Sequence, residues 1–205
     1  MPPVIGSHPF QVNEQMESQR QFHLVFGEAF GQWALVEERL SYWFHVTSGM
    51  PFNMARTMFF TPRVFQARTD LLAVALEHTT ATLRQGAREF LRQAITKAGK
   101  LSSFRNSLAH GEQCFDARSD SPTFKQTILI SGRLNAYKAA DSAITVARLS
   151  HATANYRELA KIIMDALEFV EGLPSGVPLE ECLRQLNALP NQADTPKSSP
   201  DLMRA

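Results

Sequence analysis

The amino-acid sequence predicts an all-α protein: a four- to five-helix up-down bundle with a small strand-bearing insertion after the third long helix. Two observations predict the bundle. Apolar residues recur at three- and four-residue steps through four long segments, and glycine or proline interrupts this periodicity between them. A third observation predicts the insertion, because one short segment, residues 123–130, alternates as a strand does.

Composition limits the classes of function. The chain has 205 residues, is 44% hydrophobic, and carries 21 Lys and Arg against 20 Asp and Glu. This balance predicts one globular domain with appendages, and a net charge of +1 gives no general attraction to nucleic acid. Contact with nucleic acid would therefore require local clustering of charge.

We expect a cytoplasmic protein that does not bind membranes. Cys114 and Cys182 are isolated and lack the spacing of metal ligands or of a disulfide framework. The first residues lack the basic start and apolar run of a signal peptide. No segment approaches the roughly 18 apolar residues of a membrane span.

The first long helix is predicted from the densest apolar stripe. We assign residues 1–20 to an irregular N-terminal arm and residues 21–173 to the helical domain, although helical periodicity already begins near Asn13 and continues to Ser48. Gly49 and Pro51 end the helix. Its stripe, typical of a core or a dimer interface, contains Phe22, Phe26, Phe30, Trp33, Val36, Leu40, Trp43 and Phe44.

Two further helices precede the centre of the chain. Residues 50–61 form an apolar, Met-rich connector whose structure the pattern leaves open. Thr61 and Pro62 then resemble an N-cap and a first helical residue, and predict a helix to about Thr80. The third long helix is predicted from about Thr82 to His110.

The remaining chain contains the insertion, one long helix and a tail. The insertion covers residues 112–133, of which 112–121 are predicted as a loop and 123–130 as a strand. The strand is expected to pair within the insertion, with residues 113–115 as the best candidate, or else with a second subunit. The fourth long helix is predicted to start after the N-cap Thr145 and to end at Gly172. Residues 174–205 are predicted to contain a short amphipathic helix at 178–189 and a disordered tail from Pro190.

The end of the third helix gathers groups suited to phosphate chemistry. Arg105, Asn106 and His110 lie within six residues, followed by Gly111. Arginine offers planar, forked donors that suit a phosphate, and histidine exchanges protons near neutral pH. A structural explanation also stands, in which Asn106 and His110 are bonded neighbours on one helix face and Gly111 is a C-terminal cap.

The same helix carries the main charge cluster of the chain. Six basic side chains and a single acidic one, Glu89, lie between residues 84 and 105. Arg84, Arg88 and Arg92 stand four residues apart on one helix face, which predicts an RNA-binding surface, or else an ordinary solvated face. Glu37 in the first helix and Arg105 both lie near apolar stripes, so a paired Glu37 and Arg105 would satisfy both charges.

These features together resemble the HEPN superfamily (higher eukaryotes and prokaryotes nucleotide-binding). The resemblance covers residues 20–173 and rests on the helix order and on Arg105, Asn106 and His110, with four residues between the arginine and the histidine. The segment from Val36 through Glu37 to Leu40 also resembles an acidic position of that family.

The resemblance implies a metal-independent endoribonuclease that needs no cofactor and cleaves RNA through its 2′-hydroxyl. It implies a homodimer whose cleft combines both copies of the motif, with His110 as acid or base, Arg105 on the phosphate, Asn106 orienting the histidine or binding phosphate, and Glu37 in support. Many such proteins are toxins, so a nucleotidyltransferase-like antitoxin is a possible partner. Two alternatives stay open: a non-catalytic HEPN-like module that binds a nucleotide or a protein, and a purely structural helical dimer.

Overall fold

Six helices and a three-stranded sheet make up the described part of the chain. The computed structural model describes residues 3–6, 11–79, 83, 86–131 and 143–194. In chain order the elements are β1 (Val4–Ile5), α1 (Val12–Ser48), α2 (Phe52–Phe60), α3 (Phe65–His78), α4 (Ala87–His110), β2 (Gly111–Asp116), β3 (Gln126–Ser131), α5 (Val146–Glu171) and α6 (Leu179–Ala188). The predicted helical bundle with a small strand insertion is confirmed.

The core lies between α1, α4 and α5. Trp33 meets Tyr156 edge to face at 5.0 Å between ring centroids, and Trp43 donates its indole N–H to the Ile163 carbonyl at 3.1 Å. Both contacts advance in the same direction along the two helices, so α1 and α5 run parallel. Both tryptophans are buried, and their large apolar area makes this contact a main source of stability.

Helix α4 runs antiparallel to the helices around it. Its early residue Phe90 packs against Trp43 of α1, whereas its later residue Arg105 lies over Phe30 of α1. Arg88, near the start of α4, reaches Leu76, near the end of α3. Because α4 runs in this direction, Arg105, Asn106 and His110 at its end lie near the level of Phe30 in α1.

The connector between α1 and α3 contains a helix that periodicity did not predict. Phe44 of α1 packs on Phe59 of α2, and Phe65 at the start of α3 packs on Trp33. The chain thus returns along α1 before α3 begins. The predicted N-cap at Thr61 was wrong, because α3 begins at Phe65 after Val64 in extended conformation. Thr80 and Thr82, the predicted boundaries of the next connection, lie outside the described residues.

The capping residues of the long helices agree with the sequence at three ends. Gly49 and Gly172 adopt left-handed conformations after α1 and α5, with φ of 68° and 80°. The Thr145 side chain accepts a hydrogen bond from the Arg148 backbone N–H at the start of α5. These ends depend on residues close in sequence, which is why the sequence predicts them.

The sheet includes the N-terminal arm. β2 pairs antiparallel with β3, from Gly111 opposite Ser131 to Asp116 opposite Gln126, and β1 pairs parallel with β2. Pairing of the predicted strand with residues 113–115 is confirmed, but residues 112–116 are strand and not loop. The arm predicted over residues 1–20 is shorter, because residues 4–5 form β1 and α1 begins at Val12.

The C-terminal segment is packed further than predicted. α6 confirms the predicted short amphipathic helix. The residues directly after it were predicted to be disordered, yet Ala193 is only 1% exposed and its carbonyl accepts a 2.6 Å hydrogen bond from Asn155. No helix within the described ranges is both long enough and apolar enough to cross a membrane.

Candidate functional site

His110 ends α4, and Gly111 starts β2 without a turn between them. Gly111 is the C-cap of α4, as the structural explanation expected, but it is extended, with φ −83° and ψ 156°, and not in the left-handed conformation common at helix ends. A Cβ here would lie 2.4 Å from Leu129 Cγ and 3.1 Å from the Ile130 carbonyl oxygen. Glycine is therefore required by close approach of β3, and this contact places His110 beside the edge of the sheet.

Arg105 lies on the side of α4 that faces α1 and α5. Its guanidinium carbon is 5.6 Å from the centroid of the Phe30 ring, a cation–π arrangement. The side chain is half-buried, and its Nε is buried with no hydrogen-bond partner among the described residues. An unpaired buried donor is costly, so the Arg105 guanidinium is not fully satisfied by the described part of the chain.

Tyr156 supports the backbone beneath Arg105. Its hydroxyl donates to the Leu101 carbonyl at 3.3 Å, and burial raises the pKa of Tyr156 well above its usual range, opposed by a hydrogen bond from the Arg105 backbone. The neutral phenol therefore anchors this turn of α4 to α5.

Asn106 and His110 are exposed on another side of α4. Within the described part of the chain neither side chain has a hydrogen-bond partner, so the two are not bonded to each other as the structural explanation required. On a helix with about 100° per residue, Arg105 and His110 point about 140° apart. A single chain thus presents the arginine and the histidine on different faces.

Glu37 does not pair with Arg105. Its carboxylate binds the Arg68 guanidinium of α3 at 3.1 Å, with side-chain exposures of 13% and 16%. Glu37 lies seven residues beyond Phe30, about 10 Å further along α1. The predicted pair with Arg105 was wrong, because the Glu37 side chain meets α3, whereas Arg105 lies at the level of Phe30. Glu37 joins two helices of the bundle.

The predicted basic row divides into separate roles. Arg84 lies outside the described residues. Arg88 donates to the carbonyls of Leu76 at 2.8 Å and Thr79 at 3.4 Å, so its guanidinium caps the end of α3. Arg92 is exposed and has no ionic partner among the described residues. Of the described pair, Arg92 alone remains available to a ligand.

The structure adds two lysines to Arg92. Lys97 and Lys100 lie with it along a cleft of about 460 Å³ between α4 and the segment after α6. Both lysines belong to the basic cluster seen in the sequence. They lie on a different face of α4 from the row of arginines, spaced four residues apart, that was predicted to bind RNA. No local pattern indicates that residues 187–191 form the opposite wall.

The comparisons with known proteins add no family. No family model, curated protein or solved structure matches the chain. Among the described residues, no three His, Cys, Asp or Glu side chains come together as a metal-binding group.

Proposed function

We propose that the chain is a metal-independent endoribonuclease of the HEPN type, which acts as a homodimer through Arg105, Asn106 and His110. The observation that carries this proposal is the availability of these side chains. Asn106 and His110 are exposed and have no hydrogen-bond partner among the described residues, and the half-buried Arg105 has no acidic partner there. By contrast, Arg88 is occupied by helix capping, and Arg68 by an ion pair.

The proposed reaction is an internal transesterification. The RNA 2′-oxygen attacks the adjacent phosphorus, and His110 accepts its proton as general base. The bond from phosphorus to the 5′-oxygen breaks, and the imidazolium of the same His110 returns this proton to the leaving oxygen. The products are a 2′,3′-cyclic phosphate and a 5′-hydroxyl. DNA lacks the 2′-hydroxyl and is not a substrate.

Arg105 would stabilise the additional negative charge of the pentacoordinate phosphate. Its planar guanidinium is already oriented by the Phe30 ring, which reduces the entropy lost when it binds an anion. Asn106, about 40° from His110 on the same side of α4, would orient the imidazole or bind a phosphate oxygen. Asn106 is exposed, so a ligand reaches its amide.

A homodimer overcomes the separation of these groups within one protomer. Because Arg105 and His110 face different sides of α4, a twofold axis that brings two α4 helices together lets one protomer supply arginine and its partner histidine. The resulting sites would not exist in a monomer.

The experiment is cleavage of mixed single-stranded RNA in excess EDTA by the wild type and by Arg105→Ala and His110→Ala. Circular dichroism checks that all variants fold. His78→Ala is the matched control, since His78 is also an exposed histidine at the last position of a helix. We expect cyclic phosphate products from the wild type and the control only. No cleavage by a folded wild-type dimer would refute the enzyme and favour the non-catalytic module.

A mixing experiment tests the shared site. Arg105→Ala and His110→Ala proteins are combined, unfolded and refolded together. In a mixed dimer one composite site retains both groups, so about a quarter of the wild-type activity should return if subunits mix randomly. Sites built within single protomers would recover no activity.

A further inference from the structure

The cleft between α4 and the C-terminal segment is a second concentration of polar groups, separate from the motif. It encloses about 460 Å³. Its lining residues are Glu89, Arg92, Gln93, Thr96, Lys97, Lys100, Asn187 and Asn191. Within the described ranges every lining residue is polar or charged, and none is aromatic.

The far wall of the cleft is held in place by the segment after α6. Lys97 donates to the Leu189 carbonyl at 2.8 Å and to Asn191 Oδ1 at 3.2 Å. Further along, Arg148 pairs with the Asp194 carboxylate. These bonds fix Asn191 opposite α4, so the cleft is a built feature of the fold.

Positive charge predominates in the cleft. Three basic side chains face one carboxylate, and that carboxylate, Glu89, already accepts a hydrogen bond from Gln93 at 2.7 Å. Arg92 has no ionic partner among the described residues, and Lys100 approaches Asn191 Oδ1 only at 3.5 Å. An anion in the cleft would therefore meet cations that are not neutralised.

Lys97 provides an independent indication of an anionic ligand. The residue is only 9% exposed, and its ammonium has three protons but two acceptors within the described ranges. Burial, with the nearby charge of Lys100, lowers the pKa of Lys97. A bound anion would supply the missing acceptor and offset the cost of burying this charge.

The lining favours a phosphate backbone over a nucleobase. Arginine, lysine and amide side chains are common phosphate contacts, whereas single-stranded bases are usually held by aromatic rings. Arg92, Thr96, Ser103 and His110 lie within about 40° of one another around α4. All four are exposed, so one face of the helix connects the cleft with His110.

The distance between the two regions suits a continuous strand. Lys100 and His110 are ten residues apart, about 15 Å along the helix. This length corresponds to about four nucleotides of a stacked strand, at about 3.4 Å each.

We propose that this cleft binds backbone phosphates of the RNA strand whose scissile phosphate lies at His110. The inference rests on the proposed function and extends it, since it assigns Arg92, Lys97 and Lys100 to a remote part of the substrate. The contacts read phosphates only, so they add affinity without base preference.

The test measures binding without cleavage. A fluorescent single strand of 2′-O-methyl RNA lacks the nucleophile, and anisotropy titrations follow its binding between about 50 and 200 mM NaCl. We expect Arg92→Gln combined with Lys100→Gln to weaken binding roughly 10-fold and to lower the slope of log K against log salt by about 1.4, about 0.7 for each lost contact. Lys97 is kept because it also holds Leu189.

The matched control is Arg56→Gln, an exposed arginine with no ionic partner in the described chain and no place in the cleft. Its salt slope should equal that of the wild type. An unchanged slope for the double variant would overturn the inference. So would protection of the Asn187 and Asn191 backbone amides from hydrogen exchange by inorganic phosphate, if the RNA strand itself does not bind. The cleft would then be a site for a small anion.

Cleavage is measured separately on unmodified RNA, so the two proposals fail differently. If the wild type cleaves RNA and the double variant binds RNA as well as the wild type does, the proposed role of the cleft is refuted. The nuclease proposal then stands. A wild type that binds through the cleft but never cleaves refutes the nuclease and retains the phosphate-binding cleft.

Discussion

The guanidinium of Arg105 lies over the ring of Phe30, with 5.6 Å between its central carbon and the ring centroid. The contact joins α4 to α1, and no acidic side chain of the described residues pairs with Arg105, so its charge is not neutralised there while its plane is fixed. An arginine held in this way differs from Arg68, whose charge is neutralised by Glu37.

Arg105→Lys should separate charge from geometry. Lysine keeps the charge but loses the planar fork and the stacking surface, so we expect RNA cleavage to fall at least about 10-fold. The unfolding free energy should change by less than about 1 kcal/mol, the scale of an accessible cation–π contact. Cleavage assays and urea titrations measure both. Arg39→Lys, which alters a similar contact with Tyr42 at 5.9 Å, should leave cleavage unchanged. Equal activity in both variants would contradict the role of Arg105.

Glu37 should couple energetically to Arg68 and not to Arg105. A double-mutant cycle with Glu37→Gln and Arg68→Gln should give a coupling energy of about 1 kcal/mol or more, because the pair is largely buried. The corresponding cycle with Arg105→Gln should give less than about 0.5 kcal/mol. Urea unfolding of the single and double variants measures both cycles. A larger coupling energy between Glu37 and Arg105 than between Glu37 and Arg68 would support the pair expected from the helical wheels.

Gly111→Ala should destabilise the junction between α4 and β2. The new methyl would lie 2.4 Å from Leu129 Cγ and 3.1 Å from the Ile130 carbonyl oxygen, so β3 must move. Overpacking of this kind lowers the unfolding free energy by about 1–3 kcal/mol. Gly99→Ala is the control within α4, where the added carbon meets no side chain and no other element of the described chain within 4 Å. It should stabilise the helix by about 0.5–1 kcal/mol, measured by thermal or urea unfolding. Equal effects at both positions would show that helix propensity alone decides.

Asp116 should make the stability of the protein depend on acid pH. Burial opposes its ionisation, but hydrogen bonds from Arg118, Ser121 and Thr123 prevail and hold the pKa of Asp116 well below its usual range. The unfolded carboxyl therefore binds a proton first as pH falls. The stabilisation is present above the unfolded pKa of about 3.9 and declines as pH falls towards the folded value.

The measurement compares urea unfolding of the wild type and Asp116→Asn between neutral and acid pH. At pH 7 the variant should lose about 3 kcal/mol, because Arg118 is left without its buried partner. The difference should shrink as pH falls below about 4. Asp120→Asn, an exposed carboxyl in the same connection, should behave as the wild type. A difference that stays constant with pH would show that the network does not depend on the charge of Asp116.

Much of the fold follows from local patterns. Thr145 and Gly172 bound α5 where the sequence predicts, and the strand at residues 126–131 pairs with the segment after His110. The motif ends a long helix, as expected. The second helix was missed because its nine residues are too few for periodicity to separate it from an apolar connector.

The candidate site depended more on tertiary structure. Glu37 was correctly expected to be paired, but its partner is Arg68. Arg88 shares the spacing of Arg92, yet it caps α3. The cleft around Lys97 and Lys100 forms only because Asn191, more than 90 residues away in the sequence, lies opposite them. A helical wheel gives the direction of a side chain, and it contains no information about the neighbouring helix.

The sequence by itself determined the helix class, most helix ends, and the place of Arg105, Asn106 and His110 at the end of α4. Periodicity and capping involve residues within a few positions, so their free energies are set locally. Only the tertiary structure decided the Glu37 partner, the required glycine at position 111 and the packed segment at residues 189–194. These features result from contacts between distant parts of the chain, whose order is set by burial of the whole core.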